Sequence, residues 1–230
     1  MALIRLYMTT SLDGYVSGPQ DSVDAPMGID GFRLFNWLDR RNDPGPNGQV
    51  FTELMSTRAV ISGRRTYEHA GRWQGDHHDG VPVFVLTADV PDEPPPGSVR
   101  YVTDVRECAS QARAAAGDGD VMVHGAGAAQ ALLRAGELDE LELHVVPVLL
   151  GQGRRLFDNL PAEHIELDLV RRLTTPDIED LTQQVTHLRY RVRAREPLPV
   201  ATQPLTAAGG PQAPNPWGGQ PHHSGERTLP

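Results

Sequence analysis

The segment DVMVHGAGAAQALLRAGELDELELHVVPVLL, residues 120–150, decides the fold of this chain. Residues 120–124 are a short β-rich run that ends at a glycine, and residues 127–136 show the three-to-four spacing of a helix. After Gly136 the pattern changes again, because residues 138–150 favour a strand. The segment therefore predicts a strand, a glycine turn, a helix and a second strand.

The same alternation precedes this segment. We predict strands over 2–8, 58–62, 81–87 and 99–102, and helices over 32–40, 48–56, 64–70 and 104–116. Downstream, residues 164–174 and 181–194 both favour strands with nothing helical between them, which predicts a terminal antiparallel hairpin. A series of βαβ units that finishes in antiparallel strands indicates an α/β fold with a mixed, mostly parallel sheet flanked by helices.

The composition indicates a globular domain followed by a tail. The chain has 230 residues, 39% of them apolar, and a formal net charge of −9 at pH 7. This acidic balance argues against nucleic-acid or anionic-membrane partners, because both need a dense basic surface. From Glu196 onward proline, glycine and polar residues dominate, so we expect one domain over 1–195 and a disordered tail over 196–230.

The cysteine content and the N-terminus bear on location. A single cysteine, Cys108, excludes an internal disulfide and is expected to be a small buried side chain. The first residues hold an apolar stretch too short for a signal sequence, and no segment approaches the roughly 18 apolar residues of a membrane span. We therefore expect a cytoplasmic protein.

The stretch VISGRRTYE, residues 60–68, predicts a site for an anion. If a strand ends near Ser62 and a helix begins at Arg64, the free amides of the first helical turn attract a phosphate. Thr66 adds a hydroxyl, and Arg64 or Arg65 can grip a further phosphate. The alternative is that both arginines are solvated surface residues and Thr66 is a helix cap.

A second glycine turn, residues 124–127, lies at the start of another predicted helix. Two such turns in one α/β domain suggest a dinucleotide that lies across the edge of the sheet. The sequence GAGAAQ partly matches the Rossmann fingerprint, but Gln130 replaces its third glycine. A short-chain dehydrogenase would also need a catalytic lysine, and this chain contains none.

Four segments occur in the order and spacing of the dihydrofolate reductase-like superfamily: SLDGYVSG (11–18), VISGRRTYE (60–68), VFVLT (83–87) and residues 125–158. Over about residues 2–193 the chain most resembles the reductase half of bacterial riboflavin-pathway deaminase-reductases and their stand-alone relatives. The resemblance implies a three-layer α/β/α fold and an NADPH cofactor. It also implies hydride transfer to a C=N bond of a pterin-like (dihydrofolate) or 5-amino-6-(5-phosphoribosylamino)uracil-like substrate.

The resemblance assigns cofactor roles by position. The adenosine 2′-phosphate and the pyrophosphate would be held by Gly63, Arg64, Arg65 and Thr66, so that the arginines would select NADPH over NADH. The adenine would lie beside Leu86 and Thr87. The pyrophosphate and the nicotinamide edge would be lined by Gly125, Ala126, Gly127, Ala128 and Ala129. The nicotinamide would also meet Thr9, Thr10 and the loop 12–16.

The source of the proton is harder to assign. Dihydrofolate reductases carry a carboxylate on their first long helix, near the position of Asn47 here, and riboflavin-pathway reductases carry a lysine at the position of Tyr7. The catalytic candidates are Asp13, which could instead be a turn residue, and His144, which could be a satisfied core histidine. These departures leave open a catalytically weak or silent nucleotide-binding module with the same fold.

Other residues have candidate roles around the substrate. Tyr15, Phe51 and Tyr67 could stack on a flat ring, although aromatic side chains more often pack in a core. The zinc deaminase domain of the bifunctional enzymes needs several cysteines, which this chain lacks. We expect no metal site, and we interpret HHDG, residues 77–80, as a surface loop. Relatives with this domain commonly pair, so a homodimer is possible.

Overall fold

The computed structural model describes residues 2–158, 160, 164–175 and 179–193. The strands are β1 (Ile4–Ser11), β2 (Tyr15–Ser17), β3 (Ala59–Gly63), β4 (Val83–Leu86), β5 (Val99–Val102), β6 (Val121–His124), β7 (Glu140–Val146), β8 (Arg154–Arg155), β9 (Leu167–Thr174) and β10 (Thr186–Val192). The α-helices are α1 (Pro46–Met55), α2 (Arg64–His69), α3 (Val105–Ala116) and α4 (Ala126–Ala135). The predicted tail, residues 196–230, lies outside the described residues.

Eight of these strands form one sheet in the order β5-β4-β3-β6-β1-β7-β10-β9. The neighbours from β5 to β7 pair in parallel, whereas β10 pairs antiparallel with both β7 and β9. The predicted mixed, mostly parallel sheet with a terminal antiparallel hairpin is confirmed.

The parallel strands are apolar on both faces because helices cover both faces of the sheet. On β3, Val60 and Ile61 point to opposite faces and neither has any exposed surface. Ile61 packs in a core with residues of α3 and α4, including Cys108, while Val60 packs in a second core with Tyr67 of α2. The three-layer prediction is thus confirmed, and Cys108 is buried as expected.

Local signals in the sequence set the helix ends. The carboxylate of Asp104 accepts hydrogen bonds from the amides of Arg106 and Glu107, at 2.9 and 2.8 Å, and so caps α3. Gly136 ends α4 in the left-handed conformation, with φ of 72°. Among the described residues no helix is both long and apolar enough to cross a lipid bilayer.

Three details differ from the sequence prediction. Leu181–Gln183, at the start of the strand expected over 181–194, is a short 3₁₀ helix. The helix expected over 32–40 is a 3₁₀ helix, Gly31–Arg40, whose first turn has no acidic residue and no side-chain cap. A small second sheet of β2 and β8 was missed, since two strands of three and two residues carry too little periodicity to detect.

One face of the antiparallel half of the sheet is polar. Alternation along β7 places Glu140, Glu142 and His144 on the same face. Glu142 has no exposed surface and forms ion pairs with Arg171 of β9, at 3.2 Å, and with Arg189 of β10. Buried charges need such partners, because an unpaired carboxylate in the interior is costly.

Helix α1 is joined to the same network by Glu53. Its carboxylate accepts hydrogen bonds from Arg171 and Arg189, both at 2.6 Å. Burial alone would raise the pKa of Glu53, but these bonds lower it from 4.5 to about 2. The two carboxylates and two guanidinium groups therefore hold α1 against β9 and β10.

The pKa of Glu53 predicts how stability depends on pH. Because folding lowers this pKa, the stabilisation is fully present above about pH 4.5 and is lost as the pH falls towards 2. We expect Glu53→Gln to lower the melting temperature at pH 7 and to flatten its decline below pH 5. Glu166→Gln, at an exposed position, is the matched control and should leave the dependence of the melting temperature on pH unchanged. A Glu53→Gln profile parallel to wild type would contradict this account.

Candidate active site

The two glycine turns lie side by side at the carboxyl ends of β3 and β6. These strands pair in parallel, with Ser62 opposite His124. A Cβ on Gly125 would lie only 2.3 Å from the hydroxyl oxygen of Thr66, and one on Gly63 would lie 3.5 Å from the amide nitrogen of Ala128. The turns predicted from separate parts of the sequence therefore form one continuous surface.

Backbone amides at this surface suit a phosphate. Neither α2 nor α4 begins with a side-chain cap within the described residues. At Gly127, in the first turn of α4, nothing lies within 4 Å of the position of a Cβ, so the backbone is open to a ligand. Ala129 differs from the prediction, because its amide donates to the carbonyl of Gly125 at 3.0 Å. The side chains of Ala128 and Ala129 pack in the core.

Both arginines of the first turn are held by the protein itself. Arg64 donates to Glu68 at 2.8 Å and to the carbonyl of Asp89 at 2.8 Å. Arg65 donates to the carboxylate and the carbonyl of Asp21, at 3.1 and 2.8 Å. These contacts fix the two guanidinium groups at opposite sides of the turn, where an incoming phosphate would share them with the carboxylates.

Arg64 points to the end of β4. There the hydroxyl of Thr87 donates to the carbonyl of Asp89 at 2.8 Å, which is the carbonyl that Arg64 also contacts. Leu86 and Thr87, the expected adenine side, therefore lie beside Arg64.

A cavity of about 480 Å³ opens next to the turns. Arg65, Thr66, Gly125 and Ala126 line one side of it. Its apolar wall includes five large aromatic side chains, those of Phe32, Phe35, Trp37, Phe51 and Trp73. A wider groove of about 1160 Å³ beside α1 touches neither turn. The smaller cavity is therefore the candidate site for a flat ring.

Trp73 reaches the cavity wall from a turn with unfavourable backbone angles. Arg72, Trp73 and Gln74 have φ of 54°, 44° and 53°, in the left-handed region that non-glycine residues rarely adopt. Trp73 lies against His77, with ring centroids 4.6 Å apart, and against the buried Tyr67 at 5.7 Å. These two ring contacts hold the indole in place on the strained turn.

His144 lines the cavity and belongs to a buried chain of hydrogen bonds. Its Nδ1 lies 2.9 Å from Nδ1 of His187, and His187 Nε2 lies 3.1 Å from Oδ1 of Asn47. Burial lowers the pKa of His144 well below its usual range and that of His187 to about 4, so both are neutral at pH 7. Asn47 thus lies behind His144 and does not line the cavity.

The HHDG segment is not the surface loop that we predicted. His78 is buried and its Nε2 contacts the carbonyl of Thr57 at 3.1 Å. His77 lines the cavity and stacks on His124, with ring centroids 5.1 Å apart. Burial lowers the pKa of His77 to about 3 and that of His124 to about 4. Among the described residues no cluster of His, Cys, Asp or Glu could hold a metal ion.

Besides Asn47 and the residues expected at the phosphates and the adenine, four predicted site residues do not line this cavity. Asp13 accepts hydrogen bonds from Ser11 and from the amides of Leu150 and Gly151, which lower its pKa and tie two loops together. The other three are Tyr15, Thr10 and Tyr67. The ring of Tyr15 lies 4.6 Å from the Arg155 guanidinium, and the hydroxyl of Thr10 donates to the carbonyl of Ser11. Tyr67 is fully buried. Tyr67 belongs to the core beneath Trp73, which corrects its proposed stacking role.

Seven of the predicted site residues meet at this cavity, among them Arg65, Ala126 and His144. Thr9, Phe51, Thr66 and Gly125 all contribute to the cavity wall. Sequence analysis missed Trp37, His77, His124 and His187. Of these, His124 had a usable signal, because it is the last strand residue before the second glycine turn. His187 had none, since only the pairing of β10 with β7 brings it opposite His144.

Residues 2–185 match the family model described as the RibD C-terminal domain. Among curated proteins, the uncharacterized protein YwjB of Bacillus subtilis (strain 168) is 28% identical over 161 residues, covering 69% of this chain and 84% of YwjB.

Solved structures with the same fold were also found. A protein from Shewanella sp. PV-4 described as a riboflavin biosynthesis protein is 23% identical, with a TM-score of 0.61 over 84% of this chain and 99% of its own. Dihydrofolate reductase from Enterococcus faecalis, complexed with NADP(H) and RAB-propyl, is 16% identical, with a TM-score of 0.57 over 83% of this chain and 96% of its own. A pyrimidine reductase-like protein from Corynebacterium diphtheriae is 15% identical, with a TM-score of 0.56 over 85% of this chain and 93% of its own. These likenesses establish the dihydrofolate reductase-like fold.

The contact between the turns predicts unequal effects of two glycine substitutions. Gly125→Ala combines a φ of 95° with a clash on Thr66 and should destabilise the protein by about 2 kcal/mol or more. Gly63→Ala has an ordinary φ of −73° and an uncrowded Cβ position, so its cost should stay within about 1 kcal/mol. Denaturant unfolding of the two variants measures both values. Equal losses would mean that the turns do not adjoin as described.

Proposed function

We propose that this chain, which belongs to the RibD C-terminal domain family, is an NADPH-dependent reductase that delivers hydride to a C=N bond of a flat nitrogen heterocycle. One observation carries the proposal: the aromatic cavity shares Thr66 and Gly125 with the paired glycine turns. A dinucleotide held by the turns would therefore have one end inside the cavity. The likeness to a dihydrofolate reductase complexed with NADP(H) supports the same cofactor here.

The residues present fit a phosphate-bearing cofactor. The uncapped amides at the start of α4 and the open backbone at Gly127 would hold the pyrophosphate. Arg64, beside Thr87, would contact the 2′-phosphate that distinguishes NADPH from NADH. NADPH, when bound, supplies the hydride.

The cavity itself orients the substrate and excludes water. Phe51 and Trp37 present apolar surface to a flat ring, and Thr9 fixes Trp37 by accepting from its indole nitrogen at 3.2 Å. The only carboxylate on the described part of the wall is that of Asp21, which is bound to Arg65. Of the four histidines on the described wall, His77, His124 and His144 are neutral, and the fourth, His69, lies 3.8 Å from the Asp21 carboxylate. We therefore assign the proton of the reduction to His69 or to water at the cavity mouth.

A second candidate function has its own support. Asn47 stands near the position at which dihydrofolate reductases carry a carboxylate, and its amide is fully engaged with Trp37 and His187. An amide cannot donate a proton as an acid does. The same fold could therefore bind the nucleotide without turnover, as a sensor or regulatory module.

Cofactor binding and turnover separate these candidates. We expect NADPH to quench the emission of Trp37 and Trp73, which line the cavity, and to bind more tightly than NADH. A reductase then oxidises NADPH when a pterin, a dihydropterin or an aminopyrimidine is added, as followed at the nicotinamide absorbance band. Saturable binding with no oxidation across the panel would favour the silent module, and absence of binding would defeat both candidates.

Gly127→Ala distinguishes a phosphate cradle from an ordinary helix start. The added methyl meets no protein atom within 4 Å, so it should stabilise the ligand-free protein by about 0.5 kcal/mol or leave it unchanged. If the amides of this turn hold the pyrophosphate, the same methyl should weaken NADPH at least about tenfold. Ala131→Gly, one helix turn farther along α4, is the control for helix propensity. Unchanged affinity in Gly127→Ala would remove the turn from the cofactor site.

A further inference from the structure

We propose that Nε2 of His144 accepts a hydrogen bond from the substrate, so that the cavity selects heterocycles that present an N–H or amino donor. This inference rests on the proposed function only in taking the ligand of the cavity to be the substrate. The new claim is that the substrate ring carries a hydrogen-bond donor that faces β7. Neither the fold nor the cofactor specifies this donor.

The argument begins at Asn47. Its Nδ2 donates to the carbonyl of Trp37 at 3.1 Å, which fixes the orientation of the amide, because a carbonyl can only accept. Oδ1 of Asn47 is therefore the atom that faces His187 Nε2, at 3.1 Å. An amide oxygen can only accept, so Nε2 of His187 carries a proton.

The proton on His187 Nε2 determines the state of His144. A neutral imidazole has one protonated nitrogen, so Nδ1 of His187 is an acceptor, and Nδ1 of His144, at 2.9 Å, must donate to it. Nε2 of His144 is then left with a lone pair. The chain of bonds from Asn47 thus fixes an acceptor at the cavity wall.

No described group satisfies this acceptor. His144 is only 2% exposed, and its Nε2 is buried without a hydrogen-bond partner. His144 stands between His187 of β10 and Thr9 of β1 in the sheet register, and it lines the cavity together with Tyr7 and Thr9 of β1. The indole N–H of Trp37, whose ring is 4.8 Å away, is already donated to Thr9. A donor brought by a ligand would satisfy the lone pair.

The same lone pair excludes other ligands. A carboxylate, a phosphate or a ring edge that offers only acceptors would bring a second lone pair against it, and the two lone pairs would repel each other. A metal ion would need further ligands, and no suitable cluster exists among the described residues. A flat heterocycle with a lactam N–H or a ring amino group would supply the hydrogen-bond donor for Nε2 and would pack against the aromatic side chains of the cavity.

Matched heterocycles test the inference on the full-length chain without cofactor. Lumazine carries lactam N–H donors, and its N,N′-dimethyl derivative keeps the ring but lacks them. We expect calorimetry to show the dimethyl compound binding at least about tenfold more weakly to wild type. His144→Leu should reduce that ratio to about twofold or less, whereas His144→Gln, which keeps an acceptor, should retain most of it. His164→Leu, at an exposed histidine, is the matched control.

Asn47 is a positioning residue in this scheme. Asn47→Leu frees His187 to take either tautomer, so it should reduce the ratio while a thermal melt reports any loss of fold. Asn47→Asp keeps an oxygen that accepts from His187, so this variant should show the wild-type ratio of affinities for the two lumazines. A merely structural role for Asn47 would change stability and leave the ratio as in wild type.

Three results would overturn the inference. They are equal affinity of wild type for the two lumazines, an unchanged ratio in His144→Leu, and no binding by lumazine, pterin or uracil at millimolar concentration. Because these measurements use no NADPH, a failure of NADPH to bind would count against the proposed reductase alone.

Discussion

The pairing of the buried carboxylate of Glu142 with Arg171 and Arg189 is the interaction on which the C-terminal half of the structure depends. Glu142 is fully enclosed on β7, and the arginines come from β9 and β10. A buried carboxylate is tolerated only where such partners meet it, so the pairing specifies which strands lie beside β7 and in which register. Because Glu53 binds the same arginines, it also sets the position of α1.

The active-site chemistry follows from that register. Two residues beyond Glu142 on the same face, His144 meets His187 of β10 and, through it, Asn47 of α1. Burial is the main reason why the pKa of His144 is low, and the nearby positive charges of Arg171 and Arg189 lower it further. The arginines that hold the sheet together therefore help to keep the histidine at the cavity neutral, while Asn47, through His187, holds it in one tautomer.

At the other side of the cavity, the parallel half of the sheet supplies the glycine turns. Their closeness follows from the neighbouring positions of β3 and β6, and the absence of a Cβ at Gly125 leaves room for Thr66. The cavity thus lies between a backbone surface suited to phosphate and a face that carries fixed polar side chains. This division is what a reductase needs to hold a cofactor and a heterocycle together.

Sequence by itself determined the main helices and strands, the α/β class, the terminal hairpin and both glycine turns, because periodicity, caps and turn residues act within a few neighbouring residues. Only the tertiary structure decided which side chains meet: His187 opposite His144, His77 on the cavity wall, Asp21 on Arg65, and Tyr67 in the core. His144 and His187 are 43 positions apart in the chain, Asp21 and Arg65 are 44 apart, and Asn47 and His187 are 140 apart. Strand register and the cost of burying polar groups without hydrogen bonds determine which of these residues meet. Neither can be predicted from a short stretch of sequence.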